Sequence, residues 1–527
     1  MKKKTLSAIL AAVLVLTLLA GCGQGGVEAQ PDPVDDNYRT FYQIFVGSFS
    51  DANGDGIGDL RGIINRFDYL NDGNVNSDTS LGVQGIWLSP IFTSPSYHKY
   101  DAKDYYKLDW RFGTDEDLKE LAQLCHSRNV KLILDLAINH TSDQHEWFVQ
   151  FIQARMEGNT ENPYYDYYTC VTTEEKVSGR NYQKIAGVDA WFECNFSGSM
   201  PELNFDNPVV RQEMLNVAKH YLDLGVDGFR FDAVKYIYYG DTAASVDFWK
   251  WYMAELRKIN PDIYCVGECW DNSESLILKY YEAMNCFNFA VSGAESPVAR
   301  AAKGGGISNF TNYIARFQGK VLEANPEGMP CSFLSNHDQD RIAGAFVLDH
   351  NMKMAANLYL LSPGSPVIYY GEEIGMRGTR PGGADTDADR RLAMLWGDDD
   401  MIRDPVGATY KNQISTTVVD QMEDEDSMYR HYCRLLSVRH RHPAIARGTY
   451  TAANCEKNLG GFLVSYQDQQ LVILHNNSAE AITYDLSQCK ALEGVALNEL
   501  LEVIGVGNAS LKGTTLTIDG YTSVVVG

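Results

Sequence analysis

The sequence predicts a (β/α)8 barrel carrying a subdomain inserted after its third strand, followed by a C-terminal antiparallel β domain. Three observations carry this. Short apolar runs alternate with amphipathic stretches up to about His442, the alternation breaks once across residues 141–200, and closely spaced alternating runs follow it to the C-terminus. At 527 residues the chain is roughly three times a ~150-residue domain, long enough for a large core with satellites.

The strand-like runs fall at 41–46, 83–88, 130–136, 226–231, 263–266, 286–291, 332–334 and 367–370. Between most of them lie helical patterns. Over 114–128, Leu118, Leu121, Ala122 and Cys125 share one face, and 209–224 repeats the pattern. Strands alternating with helices pair in parallel through right-handed crossovers, and eight such units close a barrel whose active side chains gather at the strand C-termini. Residues 141–200, rich in Tyr, Asn and Gly, are too many for an ordinary βα loop and read as the inserted subdomain. Runs at 461–466, 471–476 and 521–526 build the terminal β domain. The expected boundaries are 37–140 and 201–442 for the barrel, 141–200 for the insertion and 443–527 for the β domain.

The first residues are set apart. Lys2 to Lys4 precede an apolar run over 6–20 that ends in Leu19-Ala20-Gly21-Cys22, a basic region, an apolar core and a small-residue cleavage site. Residues 1–22 resemble a bacterial lipoprotein signal, in which cleavage before Cys22 frees a thiol for lipidation. That implies an envelope or cell-surface protein, held to the membrane only through Cys22, with 23–36 as a flexible tether. No later run has ~18 consecutive apolar residues.

Lys and Arg total 45 against 69 Asp and Glu, a net charge of −24. Such a field repels nucleic acid and anionic lipid and suits a neutral polar substrate or a cation. The cysteines show no zinc-type spacing. Cys265 reads as a small core residue, and Cys170 with Cys194 is left open as a bridge.

Chemistry appears where a barrel requires it. The third strand ends Asp135-Leu136-Ala137-Ile138-Asn139-His140, the fourth contains Arg230-Phe231-Asp232, the fifth ends Gly267-Glu268-Cys269-Trp270, and the seventh ends Asn336-His337-Asp338. One such Asp alone is usually a turn or a cap; four sets on one barrel face are harder to explain so. Arg230 and Asp232, two apart on a strand, point the same way, so the guanidinium is expected to keep the carboxylate ionised as a nucleophile. Glu268, between an apolar run and Trp270, is expected to have a raised pKa and to donate protons. That pair is the nucleophile and acid of a retaining glycosidase, separated by about 5–5.5 Å, with Asp338 and His337 against the sugar.

Segments 135–140, 228–236, 267–270 and 333–338 resemble, in order and spacing, the four signature regions of the α-amylase family, glycoside hydrolase family 13. The resemblance spans about residues 37–527. It implies Asp232 as nucleophile, Glu268 as general acid/base and Asp338 as transition-state stabiliser. It places Arg230, His140 and His337 around the sugar, Tyr100 stacked on it, and His98 beside Tyr100. Met200-Pro201-Glu202-Leu203-Asn204 resembles the fifth family region in its neopullulanase-like or intermediate form, and Lys235 resembles residues that bind long α-1,4-glucans across the cleavage point. Tyr236 stands where many calcium-dependent members have His, which leaves open a calcium between barrel and insertion with Asn139 as a ligand.

A second signal is the Gly-rich loop 51–59, with oxygen side chains from Asp51, Asn53, Asp55 and Asp59, a donor set for a hard cation. Gly62 at its twelfth position and the strand before it exclude an EF-hand. The loop resembles the family's structural calcium site, in which Ile57 adds its carbonyl. His440 to His442 read as helix-end cations, Gly304 to Gly306 follow no phosphate-loop pattern, and Asp398 to Asp400 form a solvated loop. The sequence therefore predicts an α-amylase acting on α-glucans. The alternatives are a neopullulanase-like enzyme or glucanotransferase sharing its intermediate, or a non-catalytic glucan-binding relative, which would have lost a carboxylate. No protein partner is implied.

Overall fold

The computed structural model describes residues 34–75, 77–382 and 387–527; the signal segment and Cys22 lie outside them. Seven strands form one parallel sheet. In spatial order they are Asn285–Cys286, Tyr264–Gly267, Gly228–Phe231, Lys131–Leu136, Gly85–Leu88, Phe41–Ile44 and Val367–Tyr369, the sixth, fifth, fourth, third, second, first and eighth staves. Segment 330–334 fills the gap between sixth and eighth. Cys331 bridges Phe287 in parallel, and Ser332 and Pro330 accept from the amides of Val367 and Ser365, each at 2.9 Å.

The ring is thus closed, but two expectations need correction. Residues 332–334 serve as the seventh stave without a regular ladder, entered through Pro330, which has no amide hydrogen to donate. The sixth strand ends at Cys286, because the chain turns at Asn288, whose side chain is tied to the Tyr313 hydroxyl at 2.7 Å, into the short helix Phe289–Val291.

Barrel strands are covered on both faces, which is why they read as mainly apolar runs, interrupted here by Gln43 and Arg230. Phe41, Trp87, Ile133, Tyr264, Phe287 and Phe333 share one buried cluster contributed by the staves. Helices cover the outside. Thr114 caps Asp115–Ser127 in a capping box with Asp117, and Leu118, Leu121, Ala122 and Cys125 are buried. Leu121→Ala there costs about 2–5 kcal/mol. Asn207 caps Pro208–Asp223, with proline in the first turn, where its missing donor is harmless.

The insertion consists of helix Glu146–Glu157, ended by left-handed Gly158, and a three-stranded antiparallel sheet of Cys170–Val171, Trp191–Glu193 and Tyr182–Lys184. Bridges between His140 and Glu202 and between Tyr168 and Leu203 fasten it to the barrel rim. Cys170 and Cys194 are both free thiols, so the pair left open is not bridged.

A five-stranded and a three-stranded antiparallel sheet form the terminal domain, with Val472, Leu474, Leu516, Ile518 and Val524 in its core. Val34 and Asp36 are bonded to Asn129 and Arg447, so residues 34–36 belong to the folded body and not to the flexible tether expected over 23–36. Among the described residues no helix is long and apolar enough to cross a membrane.

Candidate active site

The fourth strand delivers the centre of the site. Arg230, fully buried, pairs through Nη1 with Asp232 Oδ1 at 2.7 Å and with Asp135 Oδ1 at 2.7 Å, and through Nη2 with Glu268 Oε1 at 3.2 Å. Three adjacent staves therefore present carboxylates to one cation. Trp87 and Tyr100 flank the guanidinium at 5.3 and 5.8 Å from their ring centres. Immediately after Asp232 the chain enters the left-handed region at Ala233 (φ 50°), and the Ala233 amide donates to Glu268 Oε2 at 3.1 Å. A β-carbon in that conformation is strained, and such strain is commonly kept where it fixes functional groups.

Asp232 and Glu268 line one cleft of about 710 Å³. One guanidinium reaches both, Asp232 at 2.7 Å and Glu268 at 3.2 Å. Burial raises Glu268 to about 7, against Arg230 and with the repulsion of Asp232 and Asp338. A carboxyl at that value is partly protonated near neutrality. Asp232 departs from expectation: burial outweighs Arg230 and moves its pKa up, while the bonds from Arg230 and Glu268 oppose the rise. Burial also lifts Asp135 to about 7.

The opposite wall holds Asp338. Burial alone would raise it, but the His337 ring at 3.0 Å and the Arg391 guanidinium at 2.8 Å hold it far below the usual carboxylate range. Tyr100 stacks on His337 (5.4 Å, 6°), and its hydroxyl contacts His337 Nε2 at 2.6 Å and Asp135 Oδ2 at 2.8 Å. Gln43 holds the other His337 nitrogen at 2.6 Å. His140 and His98 also line the cleft, each lowered by burial to about 4 and so neutral. The His140 Nε2 atom is buried with no protein partner. Lys235 lines the cleft as well, its amine fixed by the Trp270 carbonyl at 2.7 Å and Asp271 at 3.0 Å.

A family model described as "Alpha amylase, catalytic domain" matches residues 43–448. The chain belongs to the α-amylase family. It is 35% identical over 497 residues to "Alpha-amylase 3" of Dictyoglomus thermophilum, covering 92% of each chain. It is 33% identical over 350 residues to a 4-alpha-glucanotransferase of Thermotoga maritima, covering 64% of this chain and 72% of that one. The solved structure of Eubacterium rectale Amy13B superposes with a TM-score of 0.85 at 34% identity, covering 95% of this chain and 97% of the other. The protein is thus a glycoside hydrolase of the α-amylase type.

Within this family site the fold gathers all nine expected catalytic and sugar-contacting residues, and adds others. Asp135 was passed over as a functional residue, although a carboxylate inside an apolar strand signals a buried charge that needs a partner. Arg391 lies 53 residues beyond Asp338, in a loop without periodicity, and nothing in the sequence marked it. Tyr97, Phe196, Tyr236, Trp270, Arg380 and Asp387 are among the other residues that line the cleft.

The loop 51–59 folds on its own side chains. Asp51 accepts from the amides of Asn53, Gly54 and Gly56 at 2.6–3.0 Å, and Asp59 caps helix Leu60–Asn65 through Gly62 at 2.6 Å. Asp55 and Asn53 each accept from an amide two residues on. Burial and the nearby Asp51 and Asp55 charges raise Asp59. The donors are all oxygen, which fits a hard cation, and the mutual repulsion is of the sign a cation relieves. Yet among the described residues no three His, Cys, Asp or Glu side chains converge as a metal group.

Proposed function

We propose that the protein is an extracytoplasmic α-amylase that hydrolyses internal α-1,4-glucosidic bonds of starch and maltodextrins with retention of configuration. The observation that carries this reading is the grip of one buried guanidinium on both Asp232 and Glu268 in a single cleft.

In the first step an Asp232 oxygen attacks the anomeric carbon while Glu268 gives its proton to the glycosidic oxygen. The bond to the leaving sugar breaks and a glycosyl ester forms. Water then adds to the anomeric carbon, Glu268 takes its proton, and Asp232 leaves as carboxylate. The raised pKa of Glu268 lets it hold the proton beforehand, and the charge and hydrogen bond of Arg230 pull that of Asp232 down against its burial. Asp338, kept ionised by Arg391 and His337, faces the oxocarbenium-like charge. Tyr100, His140 and His337 orient the sugar between them.

Identity to a glucanotransferase supports a second reading, in which an acceptor sugar replaces water in the second step. Product analysis on amylose, pullulan and cyclodextrin, with anomers followed by NMR, separates the two. Hydrolysis to α-anomers of short maltodextrins supports the first, and longer glucans at constant reducing ends support the second. Asp232→Ala and Glu268→Gln on soluble starch test either: both must lose turnover far more than binding.

Calcium belongs to this reading as a structural ion in loop 51–59, held by Asp51, Asn53, Asp55, the Ile57 carbonyl and Asp59. Its role there is to neutralise repelling carboxylates. Lipidation of Cys22 would place the enzyme at the envelope surface, where external glucans are met.

A further inference from the structure

One side chain joins the inserted subdomain to the barrel loop that bears the acceptor side of the cleft. Arg180, on the insertion, pairs through Nη1 with the buried Glu193 at 3.1 Å and donates through Nη2 to the Tyr239 carbonyl in the loop after the fourth strand. Its neighbour Asn181 bonds both the Asn195 side chain (2.9 Å) and the Asn195 carbonyl (3.1 Å), and Asn195 donates to Glu193 at 2.7 Å. Phe196 follows Asn195 and stands 44% exposed in the cleft.

The barrel half of the same wall is aromatic. Tyr239 stacks on Tyr236 (4.6 Å, 7°), and Tyr236 packs on Phe196 (4.6 Å, 48°). Arg180 therefore holds the anchor of Phe196 on one side and the anchor of Tyr236 on the other. A charge-assisted bond from a guanidinium to a carboxylate and a carbonyl is among the stronger and more directional protein contacts. The wall begins beside Lys235 and Glu268, so with Glu268 as proton donor it flanks the leaving sugar.

We propose that Arg180 is a positioning residue that fixes the Phe196–Tyr236–Tyr239 wall and thereby sets how tightly the enzyme holds glucose units beyond the cleavage point. This rests on the glucan-cleaving function proposed above. Sugar rings stack on aromatic faces, and a misplaced binding wall weakens a substrate that spans it while leaving the reacting atoms alone.

The test compares wild type, Arg180→Ala and Arg180→Lys on two substrates. One is maltoheptaose, which places glucose on both sides of the cleaved bond, and the other is α-maltotriosyl fluoride, read by release of fluoride, a leaving group too small to reach the wall. Hydrogen–deuterium exchange of residues 236–241 is followed in parallel. Expected for Arg180→Ala are a KM for maltoheptaose raised about fivefold or more, kcat within about twofold, fluoride release from α-maltotriosyl fluoride unchanged, and faster exchange over 236–241. Arg180→Lys, which keeps the charge, should recover part of the KM. Equal losses on both substrates, an unchanged KM, or unchanged exchange would overturn the proposal. Wild type inert on both substrates would instead sink the proposed function, and the exchange comparison would still decide whether Arg180 holds the loop.

Discussion

Arg230→Leu removes the one cation shared by Asp135, Asp232 and Glu268 while keeping an apolar side chain in the strand. All three carboxylates lie in the buried centre, with Asp135 and Asp232 at 2.7 Å from the guanidinium and Glu268 at 3.2 Å. A cation within ~4–6 Å typically lowers a carboxylate pKa by about 1–3 units. Its loss lets the burial that already raises Asp232 act unopposed. The sign follows directly. Asp232 reacts only when ionised, so the ascending limb of activity should move about 1–3 pH units upward, and turnover near neutrality should fall about 10- to 1000-fold. The fold should survive, because three carboxyls that take up protons escape most of the roughly 3–5 kcal/mol otherwise lost when a buried pair is broken. The assay is kcat on maltoheptaose from pH 4 to 10, with thermal melts at each pH. Raising the pH should restore part of the lost turnover. A variant that keeps wild-type kcat at neutral pH, or a loss that alkali never recovers in a folded protein, would refute the reasoning.

Three further outcomes follow. With Glu268 at about 7 and needed protonated, kcat/KM of the wild type should decline as pH rises through about 7, and Glu268→Gln should abolish that limb along with most activity on glucans. Tyr100→Phe removes the hydroxyl shared by Asp135 and His337, leaving a buried carboxylate short of a donor; at about 1–3 kcal/mol this is roughly a 10- to 100-fold loss in kcat/KM on soluble starch. If calcium sits in loop 51–59, a chelator should lower the melting temperature of the wild type by several degrees and leave Asp51→Ala, already lowered, unchanged; equal shifts in both would place the ion elsewhere or nowhere.

The barrel was legible because its staves are buried on both faces, so 41–44, 85–88 and 131–136 read as mainly apolar runs, broken only by Gln43, Lys131 and Asp135. The seventh stave was less so. Pro330, Cys331 and Ser332 close the ring through single contacts to neighbours distant in sequence, and no periodicity records that. Asp232, Glu268 and Asp338 were readable since strand ends expose them at fixed spacing. Their protonation was not. The guanidinium two residues from Asp232 was visible, but the balance between its pull and the burial of the whole group depends on Asp135 and Glu268 arriving from other strands. Arg391 and the Arg180 link were hidden for the same reason: each acts on a partner from another loop, with no local pattern to announce it.

The central claim is that Asp232 becomes covalently bonded to the sugar. Mass spectrometry of the protein after exposure to a fluorinated α-glucosyl fluoride, which slows breakdown of the glycosyl ester, tests it most directly. The account predicts a one-glycosyl increase in mass on the peptide containing Asp232, absent in Asp232→Ala. An adduct on another residue, or turnover of the reagent with no adduct and inverted product, would contradict it.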